Sequence, residues 1–475
     1  MPGGDASAQP AGLDLSTPRR VHIVAIGGAG MSAIATVLAA MGHVVSGSDL
    51  KDSPGLARLR AAGVHVVVGH AADNVPADVD ALAISTAIPR GNVEVQEAAR
   101  RGVPVLRRAE VLAAIAATRR TVAVSGTHGK TTTSSMLALI LVEAGWHPSF
   151  IIGGDVNEIG TGAVWDDGEW FVVEADESDG TFLELGAEAV VVTSVEPDHL
   201  DYFGDAAHLC DAFARFVADA SGAKVVCADD PVAASLLDFS TAAGAVEKME
   251  GVTYGMGEGA DYRMGDCESG RSSASFTVWR KGQRLGHVRL PVPGLHNAHN
   301  ACGALAMAME LGVPFDAAAR ALARYGGVAR RFQFRGERDG VTFVDDYAHN
   351  PGKVRAVLAA AKSGGWRRVV CVFQPHRYSR TADMWRDFAD VFVDADLLVV
   401  TDVYAADEPP RPGVSGKLIV DAVLEGHPAT QVAYLPARRE WAAYLRRVLR
   451  PGDLCLTLGA GDLTALPDEL LADGD

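Results

Sequence analysis

Residues 122–135 read VAVSGTHGKTTTSS: a β-forming run, a short glycine loop ending in Lys-Thr, and the start of a helix-forming stretch. The common phosphate loop is spaced G-x-x-x-x-G-K-[ST]. Here Val124 stands where its first glycine would be, and Gly126 opens a compressed G-T-x-G-K-T instead. A strand that feeds such a loop into a helix N-terminus aims unpaired backbone N–H groups and partial positive charge at a phosphate chain. Gly126 and Gly129 permit close backbone approach, Lys130 can reach the outer phosphates, and the Thr131 hydroxyl suits Mg2+.

Two later strands complete this constellation. WFVVEAD ends at Glu174–Asp176, and AVVVTSVEPDH carries His199 just past its apolar run. In a parallel α/β sheet ligands collect beyond the carboxyl ends of the strands, so Glu174 and His199 are expected on the same edge as Thr131. A hydroxyl, a carboxylate and phosphate oxygens form a hard donor set for Mg2+; the His199 imidazole is a less typical ligand and is expected at a second site or in a tuning role. Asp176, Glu177 and Asp179 fit a solvated acidic loop as well as they fit a function. A second glycine loop, AIGGAG at 25–30, lacks the first glycine of G-x-G-x-x-G. Asp49 follows at the distance expected of an acid that holds a ribose hydroxyl. Two phosphate loops on two sheets imply two nucleotides, one a phosphoryl donor and the other a handle on the substrate.

The elements that must position these residues are strands alternating with Ala-rich helices, the pattern of parallel sheets covered by helices. Strands are expected at 21–26, 43–49, 64–68, 81–85 and 103–106, then at 121–125, 170–176 and 189–199, and finally at 341–345, 368–373, 397–402 and 453–458. The stretch 250–290 alternates polar and apolar residues and is expected to add a small antiparallel piece; little can be assigned over 221–290. A chain of 475 residues divides into several domains at about 100–200 residues each. The expected division is a disordered tail over 1–19 and domains over 20–118, 119–330 and 331–475. The formal charge of −17 argues against a nucleic-acid partner and leaves anionic ligands to local groups. Six scattered cysteines with no C-x-x-C pair fit a reducing cytoplasm. The first twenty residues have no apolar core to act as a signal, and no uninterrupted run of about 18 apolar residues predicts a membrane span.

Taken in order, AIGGAGMSAIA, SGSDL, STAIPRGNVE, SGTHGKTTT, VVEADESDG, EPDHLDYFG, PGLHNAHNACGAL, ARRFQFRG, VDDYAHNP, FQPHRYSRT and VYAADEPP resemble the motifs of the Mur ligases, the ATP-dependent amide-forming enzymes of peptidoglycan precursor synthesis. The resemblance runs from about residue 20 to about residue 465 and is nearest to the alanine-adding branch. It implies an α/β fold of three domains: an N-terminal Rossmann-like domain for a UDP substrate, a central P-loop ATPase-type parallel sheet with helices, and a C-terminal Rossmann-like domain that holds the amino acid and closes. It also implies that ATP phosphorylates the carboxylate of UDP-N-acetylmuramate and that L-alanine then displaces phosphate.

By the same resemblance, Gly126, Thr127, His128, Gly129, Lys130, Thr131 and Thr132 surround ATP. His296, Asn297 and Asn300 lie near the adenine, and Arg331 and Asp346 belong to the ATP side as well. Lys130, His199 and Arg331 are the implied catalytic groups; Thr131, Glu174 and His199 are the implied metal ligands. Gly28, Ala29, Gly30, Met31, Asp49, Ser85 and Ala87 would line the UDP pocket. Tyr347, His349, Arg377 and Arg380 would hold amino acid and substrate, the two arginines lying three apart and suited to a carboxylate. Arg330 reads as surface solvation. Asn350 stands where many relatives carry histidine, and DAFARF at 211–216 has no lysine to become the carbamylated metal bridge of other branches. Cytoplasmic location and a monomer or weak homodimer are expected. A branch that attaches a whole peptide to the same sugar nucleotide is the alternative within the family. An NAD-dependent oxidoreductase would leave SGTHGKT unexplained, and a nucleotide-sensing regulator would bind ATP without releasing phosphate.

Overall fold

A computed structural model describes residues 13–240, 246–271, 273–406 and 408–472. The chain divides into two compact units, one made of Met1–Asp266, Phe276–Val288 and His299–Tyr325, the other of Cys267–Ser275, Arg289–Ala298 and Gly326–Asp475. The architecture is α/β throughout, with three principal sheets. Of the expected tail, residues 1–12 lie outside the described residues. Residues 13–19 are placed, with Leu15 buried and the Arg19 N–H donating to His43 Nδ1 at 3.0 Å.

The first unit holds two of these sheets. The N-terminal one has five parallel strands in the order His65–Val68, Val44–Asp49, Arg20–Val24, Ala81–Ile84, Val105–Arg107. Its order reverses between Arg20–Val24 and Ala81–Ile84, and such a switch point opens a crevice beyond the strand ends. The loop after Arg20–Val24 and residues Ser85 and Ala87 both leave the sheet there.

The central sheet is built on parallel strands Val252–Gly255, Lys224–Cys227, Ala189–Val192, Arg120–Ser125, Trp170–Glu174 and Ser149–Val156, with Thr161–Val164 antiparallel at one edge. Ala189–Val192 is buried at every position, as expected of a strand covered on both faces. The helix Lys130–Glu143 is buried over most of its length, and its Ser135 hydroxyl meets the Tyr325 hydroxyl at 2.8 Å inside the core. The region expected to be antiparallel begins otherwise: Val252–Gly255 pairs parallel with Lys224–Cys227 and with Tyr262–Ser269, extending the central sheet.

The second unit carries six strands in the order Gln333–Arg338, Val341–Asp346, Asp453–Leu458, Arg368–Phe373, Leu397–Thr401, Val432–Leu435. Only Gln333–Arg338 runs antiparallel. Apolar clusters cover each face, one around Phe373, Phe388 and Phe392 and another around Trp441, Leu445 and Leu466. Among the described residues no helix is long and apolar enough to cross a membrane.

Candidate active site

Arg120–Ser125 delivers the chain into Gly126–Gly129, and the helix starts at Lys130. Gly126 (φ 135°) and Gly129 (φ 82°) both occupy the left-handed region. A Cβ on Gly126 would collide with Thr193 Oγ1, and one on Gly129 with Asn300 Oδ1, so glycine is required twice over. The loop's shape is imposed by 193–196: the Thr127 N–H donates to Ser194 O at 2.9 Å, the His128 N–H to Ser194 Oγ at 3.0 Å, and the Glu196 N–H to Thr127 Oγ1 at 2.8 Å. The Thr193 hydroxyl donates to His128 O.

Lys130, Glu174, Glu177 and His199 lie behind this loop. Lys130 Nζ donates to Gly126 O at 2.7 Å and to Glu177 Oε1 at 2.9 Å. Thr131 Oγ1 donates to Glu174 Oε1 at 2.9 Å, while the Gly153 N–H holds the other Glu174 oxygen at 2.7 Å. His199, in a left-handed conformation (φ 54°), places Nε2 3.9 Å from Glu177 Oε1 and 3.5 Å from Asp198 Oδ2. Thr131 and Glu174 are therefore brought together as expected, and the hydroxyl–carboxylate pair is the hard-oxygen set that suits Mg2+. His199 sits with Glu177, apart from that pair.

Of the two readings left open for its segment, Glu177 does not fit the solvated loop. It is only 2% exposed and bridges the surroundings of Lys130 and His199. Its neighbours take other work: Asp179 accepts from the Thr181 N–H at 3.1 Å and pairs with Arg108 at 3.3 Å, and Asp176 accepts from the Ser178 N–H at 3.1 Å.

The three residues expected near the adenine share the helix Leu295–Glu310 but take different partners. Asn300 packs on Gly129. Asn297 spends its amide on Pro293 O at 2.6 Å, and the His296 ring folds over Gly294 in a crevice shared with Phe332 and Trp366.

At the N-terminal loop, Asp49 Oδ2 accepts the Gly27 N–H at 2.9 Å, so the acid expected to meet a ribose is anchored to the loop itself. Ala25, standing where glycine is usual, adopts φ 56°. Gly28 caps the helix Ala29–Ala40, whose first turn offers its free N–H groups. Met31, expected in the pocket, is 2% exposed and belongs to the core.

In the second unit Val341–Asp346 ends in two buried carboxylates. Asp346 accepts the Phe332 and Ala348 N–H groups, each at 2.7 Å. Burial raises its pKa against the opposing pull of Arg331. Arg330, read as surface solvation, instead lies 3.4 Å from Asp345, donates to Gly459 O and sits 4.9 Å over the Tyr347 ring. The Arg331 guanidinium is 6.0 Å from the same ring.

His349 stands 5.1 Å from Tyr347 and 5.2 Å from His376, which stacks on Tyr404 at 6.0 Å. Desolvation, reinforced by Arg380, lowers His349 to about 3 and His376 to about 4. Both rings are thus neutral near pH 7. His349 Nδ1 faces Tyr347 O at 2.8 Å and must carry the proton, which leaves Nε2 as an acceptor. Arg380 donates to His376 Nδ1 at 3.0 Å, and Arg377 lies 4.0 Å from Glu408, which also accepts from Ser379. Glu408, His376 and Tyr404 were not among the expected site residues, although FQPHRYSRT and VYAADEPP contain them.

Three family models match in sequence: the Mur ligase family catalytic domain over 20–120, the Mur ligase middle domain over 124–308, and the Mur ligase glutamate ligase domain over 330–461. The UDP-N-acetylmuramate–L-alanine ligase of Desulforamulus reducens is 45% identical over 459 residues, covering 95% of this chain and 97% of its own. That of Saccharopolyspora erythraea is 47% identical over 477 residues, covering 99% and 96%. Among solved structures, the UDP-N-acetylmuramate–alanine ligase of Thermotoga maritima superposes with a TM-score of 0.79 at 28% identity, covering 95% of this chain and 98% of that one. A murein peptide ligase from Psychrobacter arcticus shares the fold at a TM-score of 0.70 and 23% identity, with 95% and 98% covered.

Proposed function

The chain belongs to the Mur ligase family, and from that premise we propose that it joins L-alanine to the carboxylate of UDP-N-acetylmuramate with ATP as phosphoryl donor. The observation that carries the chemistry is the meeting of Lys130, Thr131 and Glu174 on one glycine loop, with Thr131 Oγ1 2.9 Å from Glu174. The named activity of full-length relatives supports the choice of substrates.

A carboxylate and an ammonium do not condense in water. Transfer of the γ-phosphoryl group to a carboxylate oxygen releases ADP and gives an acyl phosphate. The amine nitrogen then attacks the acyl carbon and loses its proton, and phosphate departs from the tetrahedral intermediate with the former carboxylate oxygen. The protein's part is positioning and charge. Lys130 leaves Glu177 for the outer phosphates, and the loop N–H groups hold the inner ones. Thr131 and Glu174 would hold Mg2+, and His199 with Glu177, apart from that pair, would serve a second ion; when bound, such ions supply positive charge to the phosphate oxygens. In the second unit, Arg377 and Arg380 hold a carboxylate and His349 Nε2 accepts an N–H. In the N-terminal domain, the Ala29–Ala40 helix start and Asp49 hold the uridine diphosphate. The protein acts as a cytoplasmic enzyme, monomeric or weakly dimeric.

Phosphate release from Mg-ATP and UDP-N-acetylmuramate is the test, with L-alanine, glycine, serine or a tripeptide added singly. Release that needs both the sugar nucleotide and L-alanine is expected. A preference for the tripeptide would assign the chain to the peptide-adding branch, and release with none would remove the ligase reading.

A further inference from the structure

A fully buried carboxylate lies in the N-terminal domain with no part in the chemistry above. Glu94 is 0% exposed at the start of the helix Val93–Arg101. Its Oε1 accepts from Asn74 Nδ2 at 2.6 Å and from the Ala71 N–H at 3.2 Å; its Oε2 accepts from Ser48 Oγ at 2.6 Å. Burial penalises its charge, but the neighbouring His22 ring together with these donors prevails and lowers its pKa to about 2. His22, also buried, is bonded through Nδ1 to Ser46 Oγ at 2.8 Å, and its Nε2 stands off from Glu94 at 3.6 Å. A carboxylate this deep is maintained only where its partners are fixed.

The proton inventory of the chain of contacts is closed. Ionised Glu94 can only accept, so the single Ser48 O–H is committed to it. Ser48 Oγ also meets His70 Nδ1 at 2.9 Å and, having no second proton, can only accept there. In the neutral ring Nδ1 must therefore carry the hydrogen, and Nε2 is left with a lone pair. His70 is 13% exposed and stands at the ligand edge of the sheet: Ser48 precedes Asp49, the Gly69 N–H donates to Asp49 O at 2.7 Å, and Asp49 in turn holds Gly27 of the glycine loop.

We propose that Glu94 is a positioning residue for base recognition: acting through Ser48, it fixes His70 in the Nδ1–H tautomer, so that Nε2 accepts the N3–H of a uracil and rejects the bare N3 of a cytosine. The inference rests on the reading of this domain as the site of the uridine nucleotide. A group built to meet a donor discriminates strongly against an analogue that lacks it, because two lone pairs are then left facing each other.

The test uses the full chain with UDP and CDP as probes, by calorimetric titration, together with the 15N–1H two-bond correlation spectrum of its histidines. The wild-type protein should bind UDP at least about tenfold more tightly than CDP. The resonance that vanishes in His70→Ala should show the Nδ1–H pattern. In Glu94→Gln the amide donates to Ser48, whose O–H turns to His70 Nδ1 and sends the imidazole proton to Nε2. The UDP-to-CDP preference should then collapse or invert, with KM for the sugar nucleotide raised and kcat held within about twofold. His70→Ala should lose the preference as well. A merely structural Glu94 would weaken both nucleotides alike, and that result would overturn the proposal. So would an Nε2–H or doubly protonated His70 in the wild type, or an unchanged preference in His70→Ala while UDP still binds. If Glu94→Gln does not fold, the wild-type tautomer and His70→Ala still decide. Wild-type protein that binds neither nucleotide would remove the domain reading itself, and the inference with it.

Discussion

The two units offer different polar groups to a ligand. In the first, carboxylates each sit against a donor: Glu177 on Lys130, Glu174 on Thr131 and Glu94 on Ser48. In the second, the site is cationic and imidazole-rich, and burial beside arginines keeps His349 and His376 neutral. The first arrangement suits metal ions and a lysine that must be released to phosphates. The second suits a zwitterion, with guanidinium groups for its carboxylate and neutral nitrogens for its amine. An amide-forming reaction that begins with a phosphoryl transfer needs one of each.

The contrast can be broken most severely at Lys130. Lys130→Ala should reduce kcat/KM for ATP by about 10^3-fold in a steady-state assay and, by leaving Glu177 without its cation, lower the thermal melt as well; an effect on kcat/KM below about tenfold would mean that the loop does not carry the phosphates. Next in size, Arg380→Lys keeps the charge but loses the guanidinium fork, and should raise KM for L-alanine by about 10–100-fold with ATP affinity unchanged. An equal rise for ATP would erase the division of labour between the units.

The smallest effect is on stability. The folded pKa values of His349 and His376 are depressed from 6.5 to about 3 and about 4, so the native state binds fewer protons than the unfolded chain between those limits. The contribution of these two histidines to the second unit's stability is complete above pH 6.5 and falls as pH drops toward 4. Glu94 is lowered from 4.5 to about 2, so its contribution persists until the pH falls below 4.5. Hydrogen exchange on a descending pH series should show the second unit losing protection first; the reverse order would contradict the assignment of neutral histidines.

Strands buried on both faces were legible because their apolar runs need no knowledge of partners, as in 189–192 and 397–401. Thr131 and Glu174 were legible because helix starts and strand ends fix where a side chain emerges. What sequence could not supply was long-range burial. Glu177 reads as one more acid in EADESD until the fold closes over it, and Arg330 reads as half of a surface pair until Asp345 and Gly459 surround it. Met31 shows the opposite error, in which a motif position was taken for a contact although its side chain points into the core. The region 221–290 was opaque because Lys224–Cys227 and Val252–Gly255 find their partners in the central sheet, whereas Tyr262–Ser269, Ala274–Arg280 and Gln283–Leu290 follow one another side by side at its end. His22 and Ser48 lie in buried strands, and Glu94 in the first turn of the polar helix Val93–Arg101, where an acid is ordinary, so nothing in the sequence joins the three.

The central claim is that the substrate carboxylate is activated by phosphorylation. It is tested most directly with UDP-N-acetylmuramate labelled with 18O in that carboxylate, incubated with Mg-ATP and L-alanine. One 18O should appear in the inorganic phosphate for each amide formed. Unlabelled phosphate alongside the same product would mean that no acyl phosphate is made, and the roles assigned to Lys130, Thr131 and Glu174 would fall with it.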